Sequence, residues 1–122
     1  MTTHARHALH EIAPVDLHDR PLRHEVILID VREAHEYAAE RIHGALLFPL
    51  STFDPSALPA DPKRPIVLQC GSGKRSGMAL TRCGTAGVPV DTHLVGGIAA
   101  WKAAGLPTVT LDPGTGVVVD RQ

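Results

Sequence analysis

The residues best suited to chemistry lie together in one segment, Cys70-Gly71-Ser72-Gly73-Lys74-Arg75-Ser76. A cysteine is a nucleophile only as its thiolate. Glycines at 71 and 73 let the backbone curl through conformations that other residues avoid. A curled loop aims several N–H groups at one point, and a helix starting just beyond it adds the positive end of its dipole. A thiolate at the mouth of such a cradle gains those donors, so its pKa falls. Lys74 and Arg75 add positive charge. The segment therefore suits a thiolate that attacks, or carries, something anionic.

Such a loop has to be held between two elements. Ile66-Val67-Leu68 is an apolar run leading straight towards Cys70, as a strand buried on both faces should be. Residues 76–86 read as a helix with Ala79, Cys83 and Ala86 on one face. Cys83 reads as core rather than as a resolving thiol. In open parallel sheets, ligands bind beyond the carboxyl ends of the strands, which is where Cys70 would sit.

The rest of the chain repeats the alternation of short strands and helices. Glu11-Ile12 is a short first strand, and Pro14 suits the first turn of a helix through Leu17. Val26-Ile27-Leu28-Ile29 is another buried strand. Ala34, Tyr37, Ala38 and Ile42 recur at helical spacing. Residues 45–48 are the next strand candidate. Pro55, Pro59, Pro62 and Pro65 mark a loop with at most one short helix over 51–58. Residues 92–95 form a strand and 97–103 a last helix, stopped by Gly105 and Pro107. Val117-Val118-Val119 either adds a strand or lies loose. This is the βαβ pattern of a parallel sheet. It divides the chain into a polar tail over 1–9, a domain over 10–110 and a C-terminal extension over 111–122.

At 122 residues the chain is expected to form one domain. Apolar residues make up 43%, enough for a core, and with four aromatics that core must be built from Val, Leu, Ile and Ala. Twelve basic and thirteen acidic side chains leave a net charge of −1 with no basic run, which argues against nucleic-acid binding. No apolar run approaches the ~20 residues needed to span a bilayer. No apolar stretch near the N-terminus marks a signal peptide. Two cysteines make no disulfide framework, and a cytoplasmic chain with reduced thiols is expected.

Four segments, in order, resemble the rhodanese family. They are Asp30-Val31-Arg32-Glu33 with Glu36-Tyr37; Ile42-His43-Gly44-Ala45 with Pro49; the loop from Cys70 to Arg75, matching C-x-x-G-x-R; and Gly96-Gly97 with Trp101 and Gly105-Leu106-Pro107. The resemblance implies a three-layer α/β/α fold around a mainly parallel five-stranded sheet. It also implies a sulfurtransferase. Cys70 would take a sulfane sulfur from an anionic donor such as thiosulfate, hold it as a persulfide and pass it to cyanide or a thiol. The backbone of Gly71, Ser72, Gly73, Lys74, Arg75 and Ser76 would cradle the sulfur, with Lys74 and Arg75 binding the donor. No metal or organic cofactor is implied. A monomer is expected, with a sulfur-relay protein as a further candidate partner.

Two rival readings remain open. One is a persulfide carrier or regulatory partner-binding module with little thiosulfate turnover. The other is an anion-ester hydrolase. Phosphatases that resemble this fold have one residue more between cysteine and arginine than the four found here. The shorter loop suits a single sulfur atom.

The sequence departs from the family pattern at Arg41, where a His is common, and at Gln69, where an aromatic or His is frequent. Gln69 bears on acceptor access; Arg41 is expected to pack or pair near the sheet edge. Asp30 and Arg32 read as supporting residues that pair and hold the strand ends and loop. Gly96 and Gly97 read as a tight turn, and Trp101 as a packing anchor. His4, His7 and His10 read as a solvated tail rather than a metal site. His35 reads as an exposed helix residue. His93 has no evident role.

Overall fold

The computed structural model describes residues 9–21 and 23–120. A five-stranded, wholly parallel sheet runs through its middle. Its strands are β1 (His10–Ile12), β2 (Ile27–Asp30), β4 (Leu46–Leu47), β5 (Ile66–Gln69) and β6 (Thr92–Leu94), in the order β1-β6-β5-β2-β4. The polar-tail expectation for 1–9, with His4 and His7, falls almost wholly outside the described residues. His10 lies in β1, where its ring approaches Asp91 at 3.7 Å. Among the described residues no helix is long and apolar enough to cross a membrane.

Helices cover both faces, which is why β2 is buried at every position and reads as an unbroken apolar run. On one face lies α3 (Lys74–Thr85). Its Ala79, Leu80 and Cys83 pack with Ile29, Val31, Leu68 and Cys70. On the other lie α1 (Pro14–Leu17) and α4 (Gly97–Ala103). Leu17, Ile98 and Trp101 pack there with Leu28, Val67 and Leu94. Alternate side chains of β5 thus point to opposite layers, sending Cys70 towards α3.

Several expectations change at their edges. The helix expected through Ile42 is α2 (Ala34–Ala39) and stops earlier. Glu40–Arg41 is extended as β3 and pairs antiparallel with β7 (Val109–Leu111). Ile42 is buried as its spacing implied, but it reaches the core from extended chain. The helix expected from Ser76 begins two residues earlier, at Lys74, and its final Ala86 is exposed beyond the helix end. In place of one short helix over 51–58 stand two 3-10 turns, Leu50–Thr52 and Pro55–Ala57. The run at 117–119 supplies β8 (Val118–Asp120), which pairs antiparallel with β7. The boundary drawn at 110/111 falls inside β7, and the segment after it returns through a turn to pair with β7 as β8.

Candidate active site

Cys70 is the first residue after β5, and Gly73 caps α3 three residues later. Gly73 has φ +102°, a left-handed conformation open mainly to glycine. That turn lays the start of α3 over the sulfur. The N–H of Gly73 donates to Cys70 Sγ at 3.0 Å. The backbone N–H groups of Ser76 and Ser72 also favour the thiolate. The N–H groups of a helix's first turn have no partner within the helix, so they are free for this task. The Ser76 hydroxyl lies 3.6 Å from Sγ. Burial raises the thiol's pKa, and these hydrogen bonds outweigh it, leaving Cys70 below its ordinary 9.0. Cys83, buried without such donors, is pushed up to about 11. Both thiols are free.

The loop is held from behind by α4. Ile98 N–H donates to the Cys70 carbonyl at 2.8 Å, and Ala99 N–H to that of Gly71 at 3.0 Å. With these carbonyls turned back towards α4, the loop N–H groups face the sulfur. Gly97 is where the two segments meet, since a Cβ there would sit 2.3 Å from the Cys70 carbonyl oxygen. The Gly96-Gly97 pair is therefore a close-approach surface as well as a turn.

The structure separates two cations that the sequence reading treats alike. Arg75 is tied to Glu36 by two hydrogen bonds, at 2.7 and 3.0 Å. The guanidinium holds the Glu36 carboxyl down at about 2. Arg75 thus anchors the start of α3 to α2. Lys74 is exposed at the first position of α3, with no ion pair among the described residues.

Asp30 and Arg32 are buried at the end of β2 and pair with each other, Nη2 to Oδ2 at 2.9 Å. Arg32 also donates to the Glu40 carbonyl at 2.6 Å. They tie β2 to β3 rather than facing Sγ. Gln69 is fully buried, and neither of its side-chain polar atoms has a hydrogen-bond partner. Arg41 lies in β3 with its guanidinium 5.1 Å from the Tyr37 ring centre. Trp101 is buried and donates from Nε1 to Pro107 O at 2.8 Å. His35 is exposed.

The residues missed from sequence are His93, Glu11 and Glu36. His93 Nδ1 lies 2.7 Å from the Ser76 hydroxyl, and its Nε2 lies 3.5 Å from a Glu11 carboxylate oxygen. Glu36 stands in the first of the four family-like segments, but nothing local links it, His93 or Glu11 to the loop, because each comes from a different strand or helix. Among the described residues no cluster of His, Cys, Asp and Glu could hold a metal ion.

The arrangement can hold a thiolate and receive an anion. The sequence matches the profile of the rhodanese-like domain over residues 13–104. An uncharacterised protein of Synechocystis is 48% identical over 98 residues, which cover 80% of this chain and 55% of that protein. This chain thus spans about half the length of that relative. A protein of Allochromatium vinosum named a sulfurtransferase is 37% identical over 87 residues, covering 70% of this chain and 79% of that protein. The crystal structure of a thiosulfate sulfurtransferase from Pseudomonas aeruginosa superposes with TM-score 0.72. It is 23% identical, with 85% of this chain and 20% of that one covered, a likeness that concerns the fold.

Proposed function

The chain belongs to the rhodanese-like domain family, a family of sulfurtransferases, and from that premise we propose that it moves a sulfane sulfur from an anionic donor such as thiosulfate to cyanide or a thiol through a persulfide on Cys70. One observation carries this reading. The nucleophile's own sulfur receives the Gly73 N–H at 3.0 Å within a ring of loop donors.

The electron balance suits those donors. The Cys70 thiolate attacks the outer sulfur of thiosulfate. A new S–S bond forms on Cys70, the donor's S–S bond breaks, and its electron pair leaves with sulfite. The persulfide keeps one negative charge on its outer sulfur. N–H groups placed in advance stabilise that charge without having to reorganise. Cyanide then attacks the outer sulfur and departs as thiocyanate, and the electron pair of the broken bond returns to Cys70. Neither step requires a metal or an organic cofactor. Lys74 draws the anionic donor towards the loop. Cys70 has no exposed surface, so the loop must part to admit the donor. A reducing, cytoplasmic setting and single-subunit action complete the proposal.

The test is intact-protein mass after thiosulfate, then after cyanide. The expected result is a gain of one sulfur atom that cyanide removes and that Cys70→Ser prevents. Loading in a folded Cys70→Ser variant would overturn the assignment. Failure to load from thiosulfate, beside rapid loading from a protein persulfide, would replace it with the carrier reading.

A further inference from the structure

The proposed chemistry leaves a line of polar side chains behind Cys70 unexplained. Ser76 is fully buried. Its hydroxyl lies 3.6 Å from Cys70 Sγ, 3.2 Å from the Gly73 carbonyl and 2.7 Å from His93 Nδ1. The far ring nitrogen of His93, Nε2, lies 3.5 Å from Glu11, and the His93 side chain is only 12% exposed. β6 and β1 bring the last two together, since Glu11 and His93 are register partners.

A serine hydroxyl has one hydrogen to give. With His93 neutral and its hydrogen on Nε2 towards Glu11, Nδ1 offers a lone pair. Ser76 then donates to the ring, and its own lone pairs face the sulfur, where they suit a thiol S–H. With His93 charged, Nδ1–H donates to Ser76, and the serine hydrogen is released to the sulfur, where it suits a thiolate. The two states interconvert without any outside reagent. One proton passes from Sγ to the Ser76 oxygen while another passes from that oxygen to Nδ1. The result is a thiolate and an imidazolium with the Ser76 hydroxyl reversed between them, and Glu11 beside the positive ring.

We propose that His93, acting through Ser76, is a positioning residue that sets the ionisation of Cys70. The inference rests on the proposed function only in taking Cys70 as the reactive thiol. The surroundings leave few competing charges. From β1, Glu11 faces the ring. From β5, the register partner of His93 is the apolar Leu68. At the start of α3, beside Ser76, two glycines flank the ring without adding charge: a Cβ placed at Gly73 or Gly77 would lie 4.0 Å from Cε1. Ser76 is the residue that bonds both the ring and Cys70 Sγ.

The experiment is the pH dependence of Cys70 alkylation by iodoacetamide, resolved from Cys83 by peptide mass. It compares the wild type with His93→Gln, Ser76→Ala and the double variant. His93→Gln is expected to slow Cys70 alkylation at neutral pH on the order of tenfold, the scale of one hydrogen bond to a charged group, and to move its midpoint upward. The same substitution should do nothing more once Ser76 is alanine. Equal slowing with and without the serine would overturn the proposal, because His93 would then act by another route. A reciprocal measurement needs no substitution. Blocking Cys70 should lower the pH at which the His93 ring titrates by NMR, since coupling runs both ways; an unmoved titration would overturn it too. Sulfur loading is measured separately. Coupling in a protein that never loads sulfur removes the sulfurtransferase reading and leaves this one standing. Loading without coupling removes this one alone.

Discussion

Gly97 sits against Cys70 so closely that a single methyl group between them would lie 2.3 Å from the cysteine carbonyl oxygen. The next residue, Ile98, uses its N–H to hold that same carbonyl at 2.8 Å. Gly97 also has φ +62°, a conformation that L side chains adopt at a cost. The position is therefore constrained twice, by backbone conformation and by contact with the loop.

Gly97→Ala should cost about 2–4 kcal/mol of stability, from left-handed strain and from displacement of the loop. Chemical denaturation gives the first effect and the Cys70 alkylation rate the second. Loss of both is expected. A variant as stable as wild type, with unchanged thiol reactivity, would show that α4 does not shape the loop.

The Glu36–Arg75 pair predicts an acid-sensitive contribution to stability. The Glu36 carboxyl falls from 4.5 to about 2 on folding, chiefly through its hydrogen bonds with Arg75. A carboxyl depressed in the folded state stabilises above its unfolded pKa and ceases to do so as pH falls through its folded one. The contribution should thus be full above pH 4.5 and fade towards about pH 2. Both partners are partly exposed, so its size should be on the order of 1–2 kcal/mol. In Glu36→Gln, stability measured across this window should be flatter by that amount; the same slope in both proteins would count against the pair.

Gln69 is a polar group without a partner. Leaving a buried amide unsatisfied costs about 1–3 kcal/mol, and Met has a similar shape without the cost. Gln69→Met should raise the unfolding midpoint in denaturant, by about 1 kcal/mol or more. A fall in the midpoint would mean that the amide makes a bond worth keeping.

Lys74 and stability should separate cleanly. A cation at the start of a helix opposes the helix dipole, so Lys74→Ala should leave stability unchanged or raise it by a few tenths of a kcal/mol. If the lysine draws in the anionic donor, KM for thiosulfate should rise by roughly fivefold, about 1 kcal/mol of a solvent-exposed charge interaction. Unchanged KM would remove Lys74 from the donor's path.

The parts legible in the sequence share a physical basis: they depend on neighbours along the chain. The central strands β2 and β5 were visible as short apolar runs because they are buried almost throughout. The extent of α4 over 97–103 was marked by glycines before it and Gly105 after it. The Cys70 loop stood out because its nucleophile, glycines and cations all fall within seven consecutive residues. What escaped depends on tertiary contact. Helical spacing carried α2 past its true end, because nothing nearby announces that Glu40 and Arg41 will pair with β7. Two adjacent cations looked equivalent until Arg75 met Glu36 across 39 residues. His93 looked idle because its partner Ser76 lies 17 residues away on another element. The sequence alone thus determined the fold class and singled out the candidate nucleophile, through period and local spacing. Only the tertiary structure decided which neighbours serve that nucleophile, because hydrogen bonds and ion pairs are made across space between residues that the chain keeps far apart.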